Sequence, residues 1–254
     1  MIIGGVVVGT NVKTRSLALF SKKGGVGRTH LAAGVSRALA KGQKVLLFDL
    51  DAVIRSCDFA LGLENDALFS FDDLLSGVSC ERVLLSPPDL PGLFLCPAPS
   101  AESVFSDPGA SGAIFDTARQ IGADFVIFDP PARGAGYEFA LKHADEPLLV
   151  SDLCAPSVLG AEITSEEIFA AGKTPRLILN RFSPDEKPEC PPAEIIDRTH
   201  ARLLGVIPDR KTAGAALGSL CFDNIAARLR GNELPLFSGA TDAKKLRKLL
   251  LSQE

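Results

Sequence analysis

The chain holds 254 residues, 46% apolar and 23% charged, with 27 basic against 31 acidic side chains for a net charge of −4. This is the make-up of a folded globular protein large enough to bury a core without staples, and it excludes wholesale disorder. The slight acidity, one Tyr and no Trp exclude a generally basic nucleic-acid coat and an aromatic platform for single strands.

MIIGGVVVGT at the N-terminus lacks a cationic start and a small-residue cleavage site, so residues 1–15 are expected to be a tail or an extra strand, not a secretory signal. No run reaches the ~18 apolar residues of a membrane span. Residues 16–254 are expected to form a single domain. Short β-rich apolar runs follow in order: SLALF (16–20), KVLLFD (44–49), GLFLCPA (92–98), DFVIFD (124–129), EPLLVS (146–151), RLILN (176–180) and LLGVI (203–207). They are continuously apolar, as parallel strands covered on both faces must be. Helical spacing lies between them: Leu31, Val35, Ala38 and Leu39 recur on one face, as do Ile114, Ala118 and Ile121. The alternation predicts an α/β fold, a doubly wound, mostly parallel sheet flanked by helices, with ligands at the carboxyl ends of the strands. Residues 183–192, with four Pro in ten, read as a surface loop before a helix starting near Ala193. The six cysteines lie no closer than 16 residues apart, which excludes a CxxC zinc or redox pair and reads as reduced, mostly buried thiols of a cytoplasmic protein. His30, His143 and His200 have no metal-ligand spacing.

SLALF runs straight into SKKGGVGRTH. Gly24, Gly25, Val26, Gly27, Arg28 and Thr29 fit a phosphate loop between a strand and a helix. Glycines permit positive φ and turn N–H groups inward, the helix start adds its positive end, and the Thr29 hydroxyl can meet Mg²⁺. Asp49 and Asp51 close the second apolar run and Asp129 the fourth, so three carboxylates collect where the phosphates would sit. One Asp alone at a strand end would read as a helix cap.

KGGVGRT resembles the deviant Walker A motif, KGGxGK[ST], of the ParA/MinD superfamily of P-loop ATPases. The likeness is strongest to the MinD branch and runs on through LLFDLDAVIRSCDFALGLEN (46–65), FDDLLSG (71–77), DFVIFDPPARG (124–134), LILNR (177–181) and LLGVIPD (203–209). The resemblance implies ATP/ADP and Mg²⁺ as cofactors and a homodimer in the ATP state. Lys23 then acts like an arginine finger on the partner's phosphates, and Asp51 orients the attacking water. Asp129 is the Walker B carboxylate, with Thr29 and Asp49 beside the metal. Asn180 contacts adenine, flanked by Arg181, Pro208 and Asp209; as an amide it offers donor and acceptor together, although an Asn here can equally satisfy loop backbone. Residues 130–134 resemble the second switch.

Three positions depart from the family pattern. Arg28 replaces the P-loop lysine, a planar fork in place of a compact point charge. His30, counted with the nucleotide-binding set, stands where a second Thr or Ser is usual. Ser56 stands where Asn is usual, and a lost positioning group can cost 100-fold or more in rate. Together they imply slow hydrolysis. Two readings follow: a dimerising ATPase in division-site placement or intracellular positioning, or a nucleotide-gated scaffold of the TadZ/CpaE type. The latter relatives usually carry a receiver-like domain before the loop, where about twenty residues stand here. Nitrogenase iron proteins and iron–sulfur carriers are set aside because no cysteine lies near Asp129 in sequence. Tyrosine autokinases are set aside because Tyr137 is the one Tyr.

A regulatory or cargo protein is the implied partner; sequence-specific nucleic-acid binding is not expected. TDAKKLRKLLLSQE (241–254) is a basic amphipathic segment that matches the family's last core helix. Membrane binding is therefore not predicted, and a peripheral place at the inner membrane face follows only if that helix is free.

Overall fold

The computed structural model describes residues 14–183, 187–232 and 234. Almost all of the expected N-terminal tail and the whole of the basic segment 241–254 lie outside the described residues.

Each of the seven apolar runs becomes a strand. These are β1 (Arg15–Phe20), β2 (Val45–Asp49), β3 (Leu93–Cys96), β4 (Phe125–Asp129), β5 (Glu146–Ser151), β6 (Arg176–Phe182) and β7 (Arg202–Pro208). The helices are α1 (Arg28–Ala40), α2 (Cys57–Leu61), α3 (Phe71–Leu75), α4 (Cys80–Val83), α5 (Ala110–Ile121), α6 (Ala135–His143), α7 (Ala155–Ala170), α8 (Pro192–Thr199) and α9 (Arg210–Leu229), with a 3₁₀ turn at Glu102–Ser106. The strands form one sheet in the order β3-β2-β4-β1-β5-β6-β7, and every neighbouring pair is parallel.

Successive side chains of a strand face opposite sides, and here both sides are covered. Leu17 and Leu19 of β1 join a layer with Leu31, Val35 and Leu39 of α1 and Ile225 of α9. Ala18 and Phe20 join the opposite layer with Ile114 and Ala118 of α5 and Tyr137 and Phe139 of α6. β2 divides the same way, Val45 and Leu47 to one layer, Leu46 and Phe48 to the other. That is why the strand sequences read as unbroken apolar runs.

β3 stops at Cys96 because Pro97 follows, a residue with no N–H for a ladder. β6 and β7 run past their apolar runs, through register shifts that carry the pairing out to Phe182 and Pro208. The loop before α8 is not wholly at the surface. Cys190 is buried, its N–H donates to Leu153 O at 3.1 Å, and Glu189 Oε2 accepts from the Ala155 N–H at 2.8 Å. The helix start of α7 needs an acceptor for its free amides, and Glu189 reaches back to supply one. Residues 184–186 of that loop lie outside the described residues.

β1 sits between β4 and β5. The chain moves from β1 to one side through α1 and later returns to the other, so the carboxyl end of β1 lies at the crevice where the strand order reverses. Behind that crevice α6 packs tightly. A Cβ on Gly136 would fall 2.5 Å from Leu50 O and 3.0 Å from Pro131 Cδ. Gly136→Ala must therefore displace the backbone that follows β2. It should cost about 1–3 kcal/mol, read in thermal melts as a fall of roughly 2–4 °C per kcal/mol; an unchanged melting temperature would show that this contact is slack.

Candidate functional site

The loop from Ser21 to Gly27 leaves β1 and enters α1. Gly25 and Gly27 have φ of 77° and 89°, the left-handed region that favours glycine. Gly27 is the N-cap of α1, with no side-chain cap and no acidic residue in the first turn, so the positive end of the helix is left for an outside anion. Asn180, at the end of β6, is buried and donates from Nδ2 to Val26 O at 2.6 Å. It thereby ties the loop to the far side of the sheet. A Cβ on Gly27 would stand 2.5 Å from that same Nδ2.

Asp49 and Asp129 close β2 and β4 and are register partners across the two strands. Both are almost fully buried. Burial, and secondarily the neighbouring Asp129 charge, pushes the Asp49 carboxyl up to about 7, while N–H donors from Cys57 and Asp51 act the other way. Burial also raises Asp129, opposed by the Arg28 guanidinium and the Thr29 hydroxyl. Arg28 Nε lies 3.4 Å from Asp129 Oδ1, and its Nη1 donates to Ser21 O at 3.1 Å. The arginine at the P-loop lysine position thus bridges the loop and the end of β4. Thr29 Oγ1 lies 3.2 Å from Ser56 Oγ, so the serine that replaces the usual Asn still meets the Thr hydroxyl. Asp51 Oδ1 accepts from the N–H groups of Val53 and Ile54 at 3.1 and 2.9 Å. It shapes the loop after β2.

Lys23 is held within its own chain. Its Nζ donates to Asp152 Oδ2 at 3.0 Å and to Cys154 Sγ at 2.9 Å, and Arg181 Nη1 comes within 4.0 Å of the same Asp152 oxygen. The Cys154 contact, the largest cause, and the Asp152 carboxylate raise the Lys23 pKa, while burial acts the other way. Burial alone would raise Asp152, yet the Cys154 and Lys23 hydrogen bonds leave it below its usual range. Asp152 was within reach of sequence reasoning, since it follows β5 directly and obeys the strand-end rule that singles out Asp49 and Asp129.

Cys57 was not within reach. Its thiol donates toward Asp129 Oδ2 at 3.4 Å and its N–H to Asp49 Oδ2 at 3.0 Å. No cysteine stands near Asp129 in sequence, but the fold puts one against it.

On the far side of the loop, Gly27, His30, Asn180, Arg181, Ile207, Pro208 and Asp209 line a cavity of about 340 Å³. Arg181 takes a φ of 56° where β6 turns away, and the Asp209 N–H donates to Phe182 O at 2.9 Å, fixing the two strand ends that make its wall. The expected residues therefore divide between the loop and the strand ends beside it (Gly24 to Thr29, Asp49, Asp129) and the cavity on its other side (His30, Asn180, Arg181, Pro208, Asp209). Lys23 and Asp51 sit at the rim, engaged locally.

The oxygens of Thr29, Asp49 and Asp129 are hard donors of the kind Mg²⁺ takes. Asp129 Oδ1 is buried with no hydrogen-bond partner, so the residues fit such a cation once Arg28 yields. Among the described residues no helix is long and apolar enough to cross a membrane.

The family described as the CobQ/CobB/MinD/ParA nucleotide binding domain matches residues 17–219. The chain is similar to the septum site-determining protein MinD of Thermotoga maritima, 29% identical over 244 residues that cover 87% of this chain and 89% of that one. Among solved structures it is similar to the MinC:MinD cell division protein complex of Aquifex aeolicus, with a TM-score of 0.78, 26% identity and coverage of 89% and 99%. It shares its fold with MinD of Pyrococcus horikoshii OT3 complexed with Mg-ADP, TM-score 0.69 at 22% identity, covering 85% and 96%.

Two glycines of the loop should respond differently to the same methyl group. Gly27→Ala meets Asn180 and a left-handed backbone, and should lose about 1–3 kcal/mol in urea melts. Gly24→Ala meets open space and should stay within about 0.5 kcal/mol. Equal losses would mean that the loop is not held as described.

Proposed function

The chain belongs to the CobQ/CobB/MinD/ParA nucleotide-binding family, and from that premise we propose that it binds ATP and Mg²⁺ and works as a slow, dimerising switch. The observation that carries this reading is the uncapped start of α1 behind two left-handed glycines, with two buried carboxylates at adjacent strand ends beside it. Backbone N–H groups are fixed dipoles that meet an anion without reorganising.

In this reading the amides of Gly24 to Thr29 hold the β- and γ-phosphates, and the adenine enters the cavity beside Asn180, Pro208 and Asp209. Arg28 exchanges Asp129 and Ser21 O for phosphate oxygens. Its departure leaves Asp129 for the cation, with Thr29 and Asp49 alongside; Mg²⁺ there would offset phosphate charge. Asp51 must leave its own loop to orient a water, a change of the kind that switch segments undergo around a γ-phosphate. Lys23 must leave Asp152 and Cys154 before it can reach a second copy. Likeness to division-site proteins supports a positioning role, with a regulatory or cargo protein as partner.

A second reading, a nucleotide-gated scaffold with little hydrolysis, is favoured by one contact. The Arg28–Asp129 pair already neutralises the carboxylate that the metal needs.

Calorimetry with adenine nucleotides tests the common premise: binding at one site per chain that weakens on adding EDTA is expected, and no heat with ATP or ADP would falsify it. Phosphate release then separates the readings. If Arg28 limits turnover, Arg28→Lys should hydrolyse about 10- to 100-fold faster at similar ATP affinity; equal rates would remove Arg28 as the cause. Asp152→Asn should free Lys23 and tighten the ATP-dependent dimer severalfold, the equivalent of up to roughly 1 kcal/mol for a pair whose lysine is still partly exposed. Lys23→Ala should abolish that dimer in light scattering, and an undisturbed dimer would reject the role in trans.

A further inference from the structure

Cys57 has no part in the nucleotide reading, yet it occupies the most protected place in the site. Its side chain is fully buried, and its near polar neighbours are carboxylates. One ligand atom from each of Asp49, Cys57 and Asp129 lies within 4.8 Å of the other two. Three bonds and contacts fix the group. The Cys57 N–H holds Asp49 Oδ2 at 3.0 Å, the Asp51 N–H holds Asp49 Oδ1 at 2.9 Å, and the Cys57 Sγ approaches Asp129 Oδ2 at 3.4 Å. A carboxylate oxygen and a thiolate bound to one tetrahedral ion stand about 3.5 Å apart when the metal–oxygen and metal–sulfur bonds are about 2.0 and 2.3 Å. The observed separation needs almost no movement.

A second observation points to a ligand independently. Asp129 Oδ1 is buried and has no hydrogen-bond partner, although the residue is only 1% exposed. Among the described residues its ion-pair partner is Arg28, whose Nε lies at 3.4 Å and is itself without a hydrogen-bond partner. The pair is close but ill-fitted, as when a cation stands in for a better one. A cavity of about 230 Å³ has Asp49 in its wall, with Asp58, Asp73 and Arg55 around it. It reaches the Asp49 edge of the group, while Cys57 and Asp129 lie behind it, buried.

We propose that Asp49, Cys57 and Asp129 form a binding site for a thiophilic divalent cation of the Zn²⁺ class. The sulfur decides the class. Mg²⁺ and Ca²⁺ take oxygen ligands, whereas Zn²⁺ takes mixed sulfur and oxygen sets. The metal–sulfur bond forms as the thiol proton leaves to solvent, and no electron is transferred. Asp49 and Asp129 are also the carboxylates assigned to Mg²⁺ above, so a thiophilic ion here excludes Mg²⁺ from them. The site would make the switch responsive to available zinc.

The test uses the full chain, freed of metal and nucleotide, so that it stands whatever becomes of the nucleotide reading. Co²⁺ is the probe, because its bond to a thiolate gives a charge-transfer band in the near ultraviolet. One Co²⁺ per chain with that band is expected, displaced by Zn²⁺ and not by excess Mg²⁺. Cys57→Ser should abolish the band, and Cys154→Ser should leave it. Asp49→Asn, which keeps the thiol and guards against a Cys57 variant that does not fold, should weaken Co²⁺ binding at least about tenfold. The absence of a band in the wild-type protein, or an undiminished band in folded Cys57→Ser, overturns the proposal.

Discussion

Two carboxylates that cannot both be charged without help stand at the centre of this molecule. Asp49 and Asp129 are partners in the parallel register of β2 and β4, and the layers above and below remove them from water. A buried charge is tolerated only when something of opposite sign, or a set of N–H donors, faces it. The structure answers with Arg28 on one carboxylate and two backbone N–H groups on the other. The elevated Asp49 pKa reflects how incomplete that answer is. Everything that the site is proposed to do, with Mg²⁺, a nucleotide or a thiophilic ion, amounts to supplying positive charge to this pair by another route.

The fold that creates this demand was legible because of it. Strands covered on both faces must be apolar throughout, so the first polar residue after each run marks where the sheet edge meets water or ligand. Asp49 and Asp129 are such residues, and Asp152, next to Ser151 at the end of β5, lies at the equivalent edge. The glycines were legible for a separate reason: positive φ is cheap only for them. The small helices α2, α3 and α4 were not, because four or five residues do not complete the spacing that reveals an amphipathic face. Cys57 and Lys23 mark the limit of reading along a chain. Their decisive contacts reach across 72 and 129 residues, and no local pattern encodes a pairing made by strand order.

Asn180 illustrates a choice that residue type leaves open. An amide can read a base edge or satisfy a loop. Here its Nδ2 is given to Val26 O, and the residue also lines the cavity beside Pro208 and Asp209. The two uses are compatible, because an amide has both donor and acceptor ends. Holding the loop with one end fixes the orientation of the other, so the proposed base contact would need no reorganisation of this side chain.

Arg28 connects these parts. A lysine ends in one point charge; an arginine carries donors at several angles on a rigid plane. That shape lets Arg28 give Nη1 to Ser21 O while Nε faces Asp129, joining the loop's first residue to the end of β4. Asp129 is therefore charge-compensated by the loop's own arginine, and a phosphate bound in the proposed way must compete with Asp129 for the same guanidinium. The competition is reciprocal: whatever draws Arg28 toward an anion leaves Asp129 in need of a cation, so anion and cation binding favour one another. Substituting arginine for lysine then does more than alter rate. In the proposed reading it ties cation binding at Asp129 to anion binding at the loop, and that coupling alone would suffice for a switch, without fast hydrolysis.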